Sequence, residues 1–302
     1  MSKTKAITGP RGKVGKVGKV GKNGLKRDGV VLGVLCAIFF VYAFTLIFPF
    51  GWITYNSVRT PIDFATNLWG KPSEYVFSNY PEVLAEFDLF TMFSNSLIIC
   101  VAVPTLSIFV TACLAYALTK FDFKANKVIY VIAISNMFIP VAGSLASLYK
   151  LMSDINLIDT HIGFIVMSAS GVGFNFLLLH ATFKNVSPTY AEAASIDGAG
   201  MWRTFLQIVM PQVMPICTSI WLLSFIGVWN SYETPYLFLR SYETIAVGVK
   251  RISDGVAKAG ALSGQYPKLF CAILITTLPM VILFLAFQKK IMEFSMGGGI
   301  KE

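Results

Sequence analysis

Residues 187–215, SPTYAEAASIDGAGMWRTFLQIVMPQVMP, form a polar interruption in an otherwise apolar chain, with segments long enough to cross a bilayer on either side. The first half is written as a short helix, a turn and a second helix. Ser187 and Pro188 make a helix start: the hydroxyl caps free N–H groups, and the donor that proline lacks is not needed in a first turn. Ala191, Ala193 and Ala194 favour helix, with Glu192 among them. Asp197-Gly198 marks a turn, glycine being the residue that takes a positive φ without steric cost. A second helix restarts at Ala199 and presents Trp202 and Phe205, three apart, on one side. A helix this short is unstable alone in water, so it packs against something. The small alanines and the two aromatic anchors suit a second protein, and a turn packed on its own bundle would read the same way.

Working outward, six segments are long and nearly free of charge: 30–54, 93–118, 128–149, 162–183, 205–232 and 269–288. Each reaches the roughly 20 residues needed to cross the hydrocarbon core. Helices are the assignment, because backbone groups in lipid must be satisfied within the segment, and the alternating ten-residue strands of a barrel do not occur. Composition agrees. The 302 residues are 55% hydrophobic and 14% charged, against about 25% charged in soluble domains.

The net charge of +9 does not mark a nucleic-acid partner, because nine of the 25 Lys and Arg lie in residues 1–28, where Asp28 is the only acid. This segment, with its triplets from Lys13-Val14-Gly15 to Lys19-Val20-Gly21, is expected to be a disordered tail. It either rests on anionic lipid, at ~1 kcal/mol per basic residue, or serves only to fix topology. It lacks the pattern of a cleavable signal peptide. No GxxxxGK[ST] occurs, so an ATP-binding motor belongs to another chain. With the N-terminus inside, cytoplasmic stretches hold 17 basic residues and external loops 8, a bias resting on the tail. Six spans then place both termini, and the 187–215 loop, in the cytoplasm.

The run Glu192-Ala193-Ala194-Ser195-Ile196-Asp197-Gly198-Ala199, followed by Phe205, Ile208, Pro211 and Pro215, resembles the EAA loop of membrane subunits of bacterial ABC importers. The resemblance implies an all-α membrane protein with the type I importer permease fold. It implies a coupling element over 187–205 in which Glu192, Ala193, Ala194, Asp197, Gly198, Ala199 and Trp202 meet a cytoplasmic ATPase. Further matches point to carbohydrate permeases of the maltose type. They are Asn79-Tyr80 with Glu82-Val83-Leu84, Asn95-Ser96-Leu97, Ala115-Tyr116-Ala117-Leu118, Leu157-Ile158-Asp159-Thr160, Ile245–Val249 with Gly264-Gln265-Tyr266, Phe287-Gln288-Lys289-Lys290 and Gly297-Gly298-Gly299-Ile300-Lys301. Trp229-Asn230-Ser231-Tyr232-Glu233-Thr234-Pro235-Tyr236 resembles the WN-x-[YF]…P element of sugar importers, although Glu233 departs from an expected apolar residue.

Aromatic faces beside an amide suit a sugar, whose C–H face is apolar and whose rim is hydroxylated. Asn95, Asn230, Tyr232 and Tyr236 are the candidate pathway residues, and an interfacial aromatic belt is the other reading of the same residues. The loop 56–89, rich in Trp69, Tyr75 and Tyr80, reads as an interface anchor or as a docking surface for a binding protein. Ser168, Ser170, Gly171 and Gly173 read as a close-packing patch in the fourth span. His180 and the five cysteines show no ligand spacing, so no metal site is expected.

The chain is thus expected to comprise a basic tail, 1–28, and a permease domain, 29–302, that carries out no bond chemistry. ATP and Mg would bind partner subunits. The implied partners are a second homologous permease in a heterodimer, an ABC ATPase dimer, an extracytoplasmic solute-binding protein, the lipid bilayer, and a sugar or oligosaccharide. The rivals are an ion-driven secondary transporter, which usually buries charge within its spans, a scaffold without transport, and an importer of a non-sugar solute.

Overall fold

The computed structural model describes residues 22–138, 143–263 and 265–297. The chain divides into two units, Met1–Trp52 and Ile53–Glu302. The first contains most of α1 (Lys22–Ser57), whose stretch Val31–Ser57 is apolar and long enough to cross a membrane. This helix begins inside the basic segment expected to be unstructured. Residues 1–21, with the Lys-Val-Gly triplets, lie outside the described residues, as do Pro140, Gly264 and the C-terminal Gly298-Gly299-Ile300-Lys301.

In the second unit, all regular structure among the described residues is helical. The order is α2 (Pro61–Thr66), α3 (Asn79–Glu86), α4 (Leu89–Lys120), α5 (Asn126–Ser135), α6 (Ser144–Asp154), α7 (His161–Ser168), α8 (Phe174–Asn185), α9 (Thr189–Ile196), α10 (Met201–Asn230), α11 (Glu233–Phe238), α12 (Ile245–Ser263) and α13 (Tyr266–Gly297). Besides Val31–Ser57, the helices Leu89–Lys120, Met201–Asn230 and Tyr266–Lys289 are long and apolar enough to span. These four correspond to the first, second, fifth and sixth expected segments.

The third and fourth expected segments are not continuous helices, which corrects the sequence reading. The third is divided between α5 and α6, and the chain enters α6 through Gly143 at φ +101°. The fourth is divided between α7 and α8 at residues 169–173. Ser170 and Gly171, read as a packing patch, lie where the helix opens. Gly173 adopts φ 92°, ψ −152°, close to the region reserved for glycine. Its N–H donates to Ala133 O at 3.1 Å. The freed Ser170 carbonyl accepts from Ser107 Oγ at 2.8 Å and Thr111 Oγ1 at 3.2 Å, both on α4. Non-helical backbone in an apolar bundle is tolerated where protein satisfies it, and α4 does so here. Close approach remains part of the design, since a Cβ on Gly171 would stand 2.8 Å from Val110 Cγ1. Gly173→Ala is therefore expected to destabilise the chain by about 1–3 kcal/mol, read as a lower unfolding temperature in detergent.

Helix α4 is the central column and packs along α8 and α10. Toward its Lys120 end the core holds Ala112, Ala115, Tyr116, Phe176, Leu179, Phe183, Phe205, Val209 and Val213. Toward its Leu89 end the core holds Ile99, Cys100, Val103, Phe164, Phe225, Trp229 and Phe238. Alanines at 112 and 115 let the helices approach, and the aromatic rings fill the remaining space. A third cluster joins Val83 and Leu89 to Ile252 and Val256 of α12 and Leu269 of α13.

A polar knot organises residues 55–80. Arg59 is fully buried. Its Nη1 donates to Asn56 Oδ1 at 3.1 Å and Asn67 O at 2.6 Å, and its Nη2 donates to Gly70 O. Its Nε stands 3.0 Å from Asp63 Oδ2, off the line of the N–H but close enough for charge pairing. Tyr55 lies beneath the guanidinium, 5.5 Å from its carbon. Asn79 Nδ2 ties α3 to the carbonyls of Ser57 and Arg59 at 2.8 and 3.0 Å.

Candidate functional site

Helix α9 and the turn after it stand out from the bundle. Ser187 Oγ accepts from Thr189 N–H at 3.4 Å, so the hydroxyl serves the helix start as its position implied. At the other end Gly198, at φ +75°, closes the helix. Its N–H donates to Ser195 O at 3.1 Å, and Ala199 N–H donates to Ala194 O at 2.9 Å. These paired bonds, with a left-handed glycine between them, form a Schellman motif that satisfies the last carbonyls. The helix restarts at Met201 rather than Ala199.

Ala194 is buried against the chain, whereas Glu192, Ala193, Asp197 and Gly198 are exposed and Ala199 is half-buried. Trp202 and Phe205 do not present one common face. Their rings meet edge to face at 6.1 Å, but Phe205 is buried against Tyr116, 4.8 Å away, and Phe183, 6.4 Å away. The anchors left outside are Trp202 (63% exposed), Met201 and Ile196, the last 86% exposed. Ile196 was not singled out from sequence, since nothing local to Ser195 and Asp197 says which way an apolar side chain between them faces. An apolar recess of about 250 Å³ beside Trp202 is walled by Cys113, Tyr116, Ala117 and Phe121. Lys120 Nζ donates to Val186 O at 2.8 Å, holding the entry to this loop on α4.

The loop continues directly into α10. A π-helical stretch, Thr204–Val209, opens that helix. Pro211 offers no N–H to the Gln207 carbonyl, and the turn before it widens so that Met210 N–H reaches Phe205 O.

The far end of α10 borders a cavity of about 550 Å³. Its wall combines Trp229, Asn230 and Tyr232 with Lys250 and Ser253 of α12 and with Thr276, Thr277, Met280 and Phe284 of α13. Two of the four pathway candidates, Asn230 and Tyr232, are thus brought together. The other two lie elsewhere. Asn95 is buried and its Nδ2 donates to Glu243 O at 3.1 Å, fastening α4 to the segment before α12. Tyr236 is exposed on α11 and is not in the wall. The threonine pair and Lys250 were not singled out from sequence. Their signal was two adjacent hydroxyls inside an apolar span and a basic residue on the helix preceding it.

Lys250 Nζ lies 2.5 Å from Asp254 Oδ1 and 6.0 Å from the Tyr232 ring centre. The hydrogen bond to Asp254 raises the lysine's pKa above its ordinary value, so it stays charged. Nearby, Arg251 pairs with Glu243. Asp159 accepts from Ser241 Oγ and N–H, and these bonds, the hydroxyl's first, hold its carboxyl below the usual range. Among the described residues no group of three or more His, Cys, Asp or Glu is gathered as a metal site would require.

The described residues thus combine four helices long and apolar enough to cross a membrane with an exposed loop that continues into one of them and a cavity bordering that helix's other end. Residues 86–292 match the family described as "Binding-protein-dependent transport system inner membrane component", and the chain belongs to that family. It is 25% identical over 259 residues to the diacetylchitobiose uptake system permease protein NgcG of Streptomyces coelicolor, covering 84% of each chain. It is 30% identical over 258 residues to the melibiose/raffinose/stachyose import permease protein MelC of Bacillus subtilis, covering 84% of this chain and 91% of that one. Its fold is that of a chain in the crystal structure of a bacterial ABC transporter involved in the import of the acidic polysaccharide alginate, with a TM-score of 0.72 and 24% identity over 87% of this chain and 97% of the other. The chain is a permease subunit of an ABC importer in the inner membrane.

Proposed function

We propose that this chain forms half of the translocation pathway for a sugar or oligosaccharide and is driven through residues 187–205 by a cytoplasmic ABC ATPase dimer. The other half belongs to a second, homologous permease, and an extracytoplasmic solute-binding protein delivers the solute. ATP and Mg bind the ATPase subunits, and this chain carries out no bond chemistry. In this reading the chain crosses the bilayer six times with both termini in the cytoplasm, α5 with α6 and α7 with α8 serving as the interrupted third and fourth spans.

One observation carries the reading: α10 has the exposed, Schellman-capped loop at its start and the aromatic, hydroxyl-lined cavity at its end. ATPase closure that displaces Glu192–Trp202 is thereby delivered to Asn230 and Tyr232 through one helix. Such a device works when the ATPase contacts differ between two states of the bundle. The saccharide class is supported by the names of the relatives and by Trp229, Asn230 and Tyr232 in the wall.

The test is uptake by the complete assembly. Uptake of the responsive saccharide is expected to continue when the proton gradient is collapsed and to stop when ATP is exhausted. The opposite pattern would establish an ion-driven carrier instead.

A further inference from the structure

The cavity wall offers both donors and acceptors, from Trp229, Asn230, Tyr232, Lys250, Ser253, Thr276 and Thr277. Thr276 Oγ1 and Thr277 Oγ1 both donate to Ile273 O, at 3.0 and 2.7 Å, which leaves each oxygen able to accept. Asn230 Nδ2 gives one of its hydrogens to Ile226 O at 2.9 Å, and its Oδ1 remains an acceptor. A carboxylate accepts hydrogen bonds and donates none, whereas a sugar hydroxyl does both. A sugar hydroxyl can use both kinds of partner, whereas the acceptors of Thr276, Thr277 and Asn230 are of no use to a carboxylate.

What the wall does not offer an anion is net positive charge. Lys250 is held by Asp254 at 2.5 Å, so an incoming anion meets a pair with no net charge and must compete with a carboxylate already in place. Arg251, the next cation along α12, is engaged with Glu243. The α10 and α13 residues of the wall are all uncharged. Lys250 still suits a hydroxyl, since the ammonium keeps further donors.

We propose that the saccharide taken by this cavity is uncharged, and that Asp254, by holding the Lys250 ammonium, is the residue that excludes acidic saccharides. The inference rests on the saccharide reading above and narrows it.

The experiment uses the assembled membrane complex in nanodiscs without the binding protein, so that only the membrane site selects. Saturation-transfer NMR compares maltotriose, cellotriose and raffinose with trigalacturonate at low ionic strength. In the wild type at least one uncharged trisaccharide is expected to give signal and trigalacturonate much less. Asp254→Asn is expected to raise the trigalacturonate signal relative to the uncharged probe by about three- to fivefold, the weight of a half-exposed ion pair. Adding Lys250→Met should remove that gain. Asp254→Ser frees the same ammonium and serves as a second variant if the first does not assemble. Trigalacturonate binding as well as the uncharged probes in the wild type overturns the inference, and so does an unmoved ratio in the intact Asp254 variants. A wild-type complex that responds to none of the four probes overturns the saccharide reading itself, an outcome distinct from either.

Discussion

Gly198→Pro abolishes ATP-driven uptake while leaving the amount of chain in the membrane unchanged; this is the expected result at the turn after α9. Gly198 sits at φ +75° with no atom within 4 Å of a would-be Cβ, so the constraint is the backbone and not the space. Proline fixes φ near −65° and has no N–H. The substitution therefore forces the turn out of its left-handed shape and deletes the bond to Ser195 O. Incompatible prolines cost more than the ~1 kcal/mol that compatible ones contribute. Here that cost falls on an exposed loop, so α9 loses its orientation while the apolar bundle still inserts. Gly198→Asn is the control, because asparagine tolerates the left-handed region, and it should retain most uptake. Co-purification of the ATPase subunits at the wild-type ratio with Gly198→Pro would falsify the coupling role of this turn.

The second large effect is expected at Arg59. Arg59→Met removes a fully buried guanidinium, which leaves Asp63 with only its bonds from Ser73, Gly70 O with only Tyr55 Oη, and Asn67 O without its side-chain donor. Breaking a buried pair from one side costs about 3–5 kcal/mol, and the Ser73 bonds that Asp63 retains place the expected cost at about 3 kcal/mol, the lower end of that range. Arg59→Lys should rescue little, since a single ammonium does not reproduce a planar fork that reaches two carbonyls and an amide oxygen in different directions. The exposed Lys71→Met in the same segment should stay within about 0.5 kcal/mol of the wild type. Thermal unfolding in detergent, with yield of soluble chain as a second reading, separates the three. A melting temperature for Arg59→Met equal to that of Lys71→Met would show that the polar knot contributes nothing.

The loop at 187–215 was legible because its signals are local. Ser187, Gly198 and the alanines act through hydrogen bonds and backbone angles within a few residues, and the structure places them accordingly. The restart at Met201 fell two residues late because the Schellman bond from Ala199 N–H uses that residue in closing the first helix. Long-range facts were not legible. That Phe205 turns inward depends on Tyr116 and Phe183, some 89 and 22 positions earlier in the chain, leaving a slot for one more ring. That Asn95 fastens a strap while Asn230 faces a cavity is decided by where Glu243 and α12 fall. The apolar count identified segments 128–149 and 162–183 correctly as apolar, but hydropathy is blind to continuity. The opening at residues 169–173 exists because Ser107 and Thr111 on another helix supply its missing bonds.

Because α10 is a single 30-residue rod, it is about 45 Å from end to end. The tilted rings of Tyr116 and Phe205 pack near its base, and under the proposed coupling the helix would work as a lever with a short arm in the loop and a long arm reaching Asn230. Tilting the portion beyond Phe205, about 37 Å long, by about 5° sweeps its tip by about 3 Å, a large part of the thickness of a pyranose ring. A small displacement of one exposed turn is thereby geared up toward the size of the cargo.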